Sequence, residues 1–402
     1  MRRSRLFLPL CAGLILLHAI PARPASAAAP AERFRFPEKR HGKGELKYIN
    51  KIPVLKVEGT PEEIGEQIGV LALKPAARAL DYPHGLLDAF AIPPILWGQA
   101  VRQGKAMVEN FPADYRKEME TMAKAAGAPW DKVVVGNTLF DIKKMFFCSA
   151  LLIDADRSAT HGPLLGRNLD YPSLGYIDQY SLVTVYRPKG KHAFVSVGFP
   201  GLIGSLSGMN DAGLAVGVLE SFAVRKGEGR FDPKGLPYAL CFRTLLEECT
   251  TIAEAKKRLE SLPRTTLTSL VIADRKGIGV LEITPKSVVL RRADKGVCSC
   301  TNHFCTELKS ATKLDVARTY ERFETLEDTR KLERPVRVED IRKKLDEVNL
   351  GDLTLQTMVF EPATLKLHLG IGKPPASSRP LRTLELAPLL KPEDRVGHKM
   401  RD

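Results

Sequence analysis

Apolar positions recur at helical spacing through the first third of the chain and at strand spacing beyond it. Thr60-Pro61-Glu62-Glu63 opens the first helix: Thr60 can cap, Pro61 suits the first helical position, and Glu63 completes a capping box. Ile64, Ile68 and Leu71 follow at spacings of four and three, which gives one apolar face. Similar patterns predict helices from about Pro94 to Glu109, Asp114 to Ala125 and Asp131 to Lys144. Residues 28 to about 50 are polar and basic without a period, and read as a mobile leader.

The character changes at Cys148. Strands are predicted for Cys148 to Ala155, Pro163 to Tyr171, Tyr180 to Tyr186, His192 to Gly198 and Gly213 to Leu219, with a glycine-punctuated turn from Gly201 to Gly208. Two helices, Leu236 to Cys249 and Ile252 to Leu262, precede strands at Ser269 to Ala273, Gly279 to Ile283 and Val288 to Arg291. Helices at about Ala311 to Leu326 and Val338 to Val348 lead to a closing hairpin, Leu355-Phe360 with Leu365-Gly370. Strands, helices and strands in blocks predict an α+β fold with antiparallel sheets stacked between helical layers.

Composition adds bounds. With 44% hydrophobic and 27% charged residues, the 402-residue chain can build a sizeable core. The net charge is +14, but four of those charges lie in the first 27 residues, which hold no acid. The remaining excess is scattered, with no aromatic-basic platform or basic helical stripe, so nucleic acid is not an expected partner. Arg2 to Arg5, the apolar run Leu6 to Ile20 and the small residues Ala25-Ser26-Ala27 read as a cleaved signal for export, periplasmic or secreted. That run is too short to span a bilayer comfortably, and no later one is apolar enough. Six of the seven cysteines lie beyond the signal. Cys241 and Cys249 are roughly 12 Å apart along a helix, too far to bridge, and free thiols are expected for most.

The hairpin after Cys148 can be placed by symmetry. A turn centred near Ser158 or Ala159 sets Cys148 across from Leu169, Asp170 or a near neighbour, with Arg167 and Asp170 beside it on the neighbouring strand. A guanidinium there favours thiolate, and a carboxylate could hold a protonated amine. The same residues would equally suit an ordinary strand pair with a surface ion pair.

Cys148-Ser149-Ala150-Leu151-Leu152 followed by Gly166-Arg167-Asn168-Leu169-Asp170-Tyr171 resembles the opening hairpin of N-terminal-nucleophile (Ntn) cysteine hydrolases. These include choloylglycine hydrolases, penicillin V acylase, acid ceramidase with N-acylethanolamine amidase, and the peptidase C45 group with isopenicillin acyltransferase. The resemblance continues through Gly208-Met209-Asn210-Asp211-Ala212-Gly213, Thr301-Asn302-His303-Phe304 and the Met358 to Gly370 hairpin. It implies a four-layer αββα sandwich from 148 to 402, a mainly helical prosegment from 28 to 147, and cleavage before Cys148. Cys148 would then be nucleophile and its α-amine the base; Asp170 would orient that amine and Arg167 would flank thiol and substrate. Asn210 and Asn302 would hydrogen-bond the oxyanion. Implied partners are a small-molecule acyl amide or acyl thioester and the cleaved prosegment, with no cofactor or metal. Phe146-Phe147 precede the cysteine, where self-cleaving relatives often carry a small residue. Two other readings stay open: an uncut Cys148–His303 thiol hydrolase, and an exported binding protein that retains the fold. Cys298, Cys300, His303 and Cys305 form a ligand-rich cluster, but without a second pair at zinc-site spacing they read as core.

Overall fold

Three strands open the structure, a computed structural model that describes residues 33–144 and 146–391. The segment read as an export signal lies outside the described residues, and the chain from Arg35 onward forms one unit. Strands Lys39–His41 (β1), Gly44–Ile49 (β2) and Ile52–Gly59 (β3) run as an antiparallel meander. Five helices follow: Pro61–Ile68 (α1), Tyr82–Ala89 (α2), Ile95–Val108 (α3), Ala113–Ala126 (α4) and Trp130–Ile142 (α5). The capping box of α1 forms as its sequence dictates, with Thr60 N donating to Glu63 Oε2 at 2.8 Å and Glu63 N to Thr60 Oγ1 at 3.3 Å.

Strands Phe147–Ile153 (β4), Leu164–Asp170 (β5), Leu182–Pro188 (β6), Phe194–Gly198 (β7), Ser207–Asn210 (β8) and Ala215–Glu220 (β9) come next. Helices Tyr238–Glu248 (α6) and Ile252–Ser261 (α7) lead into Thr268–Ala273 (β10), Ile278–Ile283 (β11), Val288–Arg292 (β12) and Val297–Cys300 (β13). Helices Thr319–Glu327 (α8) and Val338–Glu347 (α9), strands Thr354–Glu361 (β14), Lys366–Ile371 (β15) and Arg382–Glu385 (β16), and the short Ala387–Leu390 (α10) close the fold.

The strands sort into two sheets. One has ten, in the order β1-β2-β3-β6-β7-β8-β9-β10-β11-β12; the other has six, β13-β4-β5-β14-β15-β16. β9, β10 and β11 face β4, β5 and β13. Helices α6 and α7 cover the outer face of the larger sheet, α8 and α9 that of the smaller. The result is the αββα sandwich. Leu151, Ile153 and Val359 of the smaller sheet pack with Ile341 and Leu345 of α9, so the alternate residues Cys148, Ala150 and Leu152 face the other sheet.

Two expectations need correction. The polar stretch before residue 50 holds strands, not a loose leader. Its pattern is masked because an edge hairpin keeps charged side chains in water: Leu46 is buried, while Arg40 pairs with Glu45 across the turn. The helix expected from Ala311 begins at Thr319, because Ala317 and Arg318 sit at φ of 51° and 53°, which interrupts helical backbone.

A buried ion cluster joins the first 147 residues to the rest. Arg243 of α6 grips both oxygens of Glu118 on α4, at 2.7 and 2.6 Å, and Glu247 at 2.8 Å, with Tyr115 over its guanidinium. Removing one partner strands a desolvated charge. In an uncut Cys148→Ala chain, Glu118→Ala should therefore lower the unfolding free energy by about 3 kcal/mol in urea titrations; an unchanged midpoint would mean that the cluster is energetically neutral.

Candidate active site

The opening hairpin fixes the site. β4 and β5 pair with Cys148 opposite Leu169 and Ala150 opposite Arg167, the register that a turn centred between Ser158 and Ala159 requires. Arg167 lies between the sheets. Its Nη2 donates to Cys148 Sγ at 3.1 Å, and its Nη1 donates to Leu206 O at 2.7 Å and Ser207 Oγ at 2.8 Å. It crosses β9 over Gly217, where an added Cβ would come within 2.8 Å of Arg167 Cδ. The glycine makes the passage.

The peptide unit at Cys148 is held at several atoms. Its N–H donates to Asn302 Oδ1 at 3.1 Å, and its carbonyl accepts from Arg322 Nη1 at 2.7 Å. Arg322 Nη2 also donates to Asn302 Oδ1 at 2.8 Å, which locks the amide's orientation. Asn302 Nδ2 donates to Glu220 O at 2.9 Å and, more weakly, to Phe146 O at 3.5 Å. Asp170 pairs with Phe147 in register and accepts from Thr354 Oγ1 at 2.5 Å. Its other oxygen is buried with no hydrogen-bond partner among the described residues.

Burial decides the electrostatics. It pushes the Cys148 thiol up to about 11, with Arg167 and the Asp170 backbone N–H pulling down and the Asp170 and Glu220 charges pushing further up. The expected thiolate is therefore not the resting form of the uncut chain. Burial likewise lifts Asp170 to about 6, against the pull of Arg322, Thr354 and Arg167. A carboxyl whose folded pKa is raised adds stability below its unfolded value, 3.8, and loses it as pH rises through about 6. In a Cys148→Ala chain, Asp170→Asn should thus improve stability at pH 8 relative to pH 4, by about 3 kcal/mol in the difference. Parallel urea midpoints at both pH values would contradict a buried acid there.

Asn210 does not join this group. Its Nδ2 is spent on Leu246 O and Cys249 O at the end of α6, at 3.0 and 2.7 Å, and its Oδ1 accepts from Leu214 N. Its backbone N–H bonds Leu214 O and its carbonyl accepts from Gly213 N. Every donor is committed to a turn and a helix end, so none is left for an oxyanion. His303 is also elsewhere engaged: Nδ1 meets Thr319 Oγ1 at 2.9 Å, the ring lies 4.3 Å from that of Tyr320, and burial lowers its pKa to about 4. The Cys148–His303 pair is not assembled. Arg322, Glu220 and Thr354 were not singled out from the sequence. Only Glu220 carried a signal, an acid ending the apolar run Ala-Val-Gly-Val-Leu.

The four-layer αββα sandwich thus carries a cysteine near the start of an inner strand, with arginine on its sulfur and asparagine on its nitrogen. Residues 157–374 match the profile of the acyl-coenzyme A:6-aminopenicillanic acid acyl-transferase family, and the chain belongs to that family. An uncharacterized protein of Archaeoglobus fulgidus is 23% identical over 282 residues, 62% of this chain and 46% of its own length. The chain thus spans about half the length of the curated relative it matches. Among solved structures, the Caenorhabditis elegans ortholog of N-acylethanolamine-hydrolyzing acid amidase aligns with a TM-score of 0.42 at 14% identity, over 59% of this chain and 100% of that one. Penicillin V acylase of Agrobacterium tumefaciens aligns at 0.41 and 15%, over 60% and 86%. A variant of conjugated bile acid hydrolase from Clostridium perfringens aligns at 0.39 and 13%, over 60% and 92%.

Proposed function

We propose that this chain is exported, cuts its own Phe147–Cys148 bond, and then uses Cys148 as nucleophile in an amidohydrolase or acyltransferase. The observation that carries the reading is the grip on Cys148: Arg167 on its sulfur, Asn302 on its nitrogen and Arg322 on its carbonyl. In the first step Sγ adds to the Phe147 carbonyl, the C–N bond breaks, and the thiol proton ends on the Cys148 nitrogen. Water then opens the thioester, leaving a Phe147 carboxylate and restoring the thiol.

The freed α-amine has an ordinary pKa near 8, where a useful base should sit. It takes the thiol proton as Sγ attacks an acyl amide or acyl thioester, and returns it to the leaving group. The unpartnered oxygen of Asp170 suits the protonated amine. Asn302 Nδ2, weakly bonded to Phe146 O before the cut, is the donor available for the oxyanion, a role worth about 3 kcal/mol. The cleaved prosegment remains the large fragment's partner, held by β3 beside β6 and by the Arg243 cluster.

N-terminal sequencing of purified protein tests export and cleavage together. Two starts are expected, one at or near Ala28 and one at Cys148. An active protein with intact Met1 and a single chain would overturn both.

A further inference from the structure

The first acyl group carried by Cys148 under the proposed function is the chain's own Phe146-Phe147 end, and the structure records how that group is held. The Phe146 ring is buried against Tyr171, centroids 4.2 Å apart with the rings inclined at 30°, and against Phe140 at 4.4 Å. Its backbone N–H donates to Glu220 Oε2 at 3.0 Å. Phe147 stacks on Phe222, with centroids 5.9 Å apart. Tyr171, Glu220 and Phe222 all belong to the large fragment, so they remain when the tail withdraws. Around them stand the Tyr238 hydroxyl, 3.5 Å from Glu220 Oε1, and the Tyr171 hydroxyl, which is buried without a hydrogen-bond partner among the described residues. A slot whose aromatic walls stack on both rings and whose carboxylate accepts the Phe146 N–H suits a plain alkyl chain less well, because such a chain offers neither a ring to stack nor an N–H for Glu220 Oε2.

We infer that the mature site is selective for peptidyl acyl groups: an aromatic residue at the reacting carbonyl, a second before it, and an N–H donor for Glu220 on that second residue. The inference rests on the proposed function. Sγ forms a bond to the substrate's acyl carbon, the carbon–nitrogen bond breaks with the proton going to the departing amine, and water releases the peptide acid.

The test uses cleaved wild-type protein and four 7-amido-4-methylcoumarin amides: acetyl-Phe-Phe, its analogue methylated on the first Phe nitrogen, acetyl-Ala-Ala and lauroyl. Acetyl-Phe-Phe should exceed acetyl-Ala-Ala and lauroyl in kcat/KM by at least tenfold, and the N-methyl analogue should fall about tenfold below it. Phe222→Ala, at a half-buried position, should narrow the Phe-over-Ala ratio severalfold. Equal or faster turnover of the lauroyl or dialanine amide would overturn the selectivity while leaving the amidase reading in place. A cleaved protein that turns over none of the four would overturn both.

Discussion

Purified Cys148→Ala protein should run as one chain of about 41 kDa, while wild type separates into pieces of about 13 and 28 kDa at the chain's mean residue mass. The variant should have no amidase activity. Under the proposed function the cause lies in a single atom, since the sulfur that would break the Phe147–Cys148 bond is also the one that would carry the substrate's acyl group. The side chain is fully buried and its pKa is pushed up to about 11, so cleavage of wild type should be slow and should quicken toward alkaline pH as the thiolate fills. Cys148→Ser should cut more slowly still, because a hydroxyl is the poorer nucleophile. Wild type that is fully active uncut would remove the α-amine from the mechanism.

Asp170→Asn should lower kcat on the order of 10²–10⁴-fold, the range for a lost acid–base arrangement, with circular dichroism unchanged. Asn keeps the volume and the Thr354 hydrogen bond, so the fold stands. What it loses is the negative charge beside Cys148 that would hold the protonated α-amine. A near-normal turnover in cleaved Asp170→Asn protein would take Asp170 out of the site. A variant that fails to cleave at all would move its role to the first step.

The hairpin was legible because its parts are local. Cys148 and Arg167 lie on consecutive strands joined by a single loop, and their register follows from counting. Asn302 was reachable only through resemblance, since it meets Cys148 from 154 positions away. Arg322 was not visible at all. It arises in a polar helix, Thr-Tyr-Glu-Arg-Phe, with no period or motif to mark it, and becomes a site residue only when α8 packs over β4. Asn210 was likewise named through resemblance, for the oxyanion; in the structure Asn-Asp-Ala-Gly is a turn, and the Asn210 amide closes that turn and caps α6. The first two strands were hidden for a different reason: on a sheet edge, charge on the outward face erases the alternation that identifies an inner strand.

Strand β3 lies between β2 and β6, pairing in parallel with β6 from Val54–Val183 to Gly59–Pro188. The ten-stranded sheet is therefore continuous across position 147. A cut there leaves every one of those hydrogen bonds in place but changes the molecularity of folding. Before it, one chain finds this sheet alone, at any dilution. After it, an unfolded molecule is two species that must meet again, and the large piece without its neighbour presents a bare β6 edge open to the wrong partners. The cut protein would persist by the slowness of its unfolding rather than by its ability to return. Recovery after denaturation would then depend on concentration, and would fall short of that of the uncut chain.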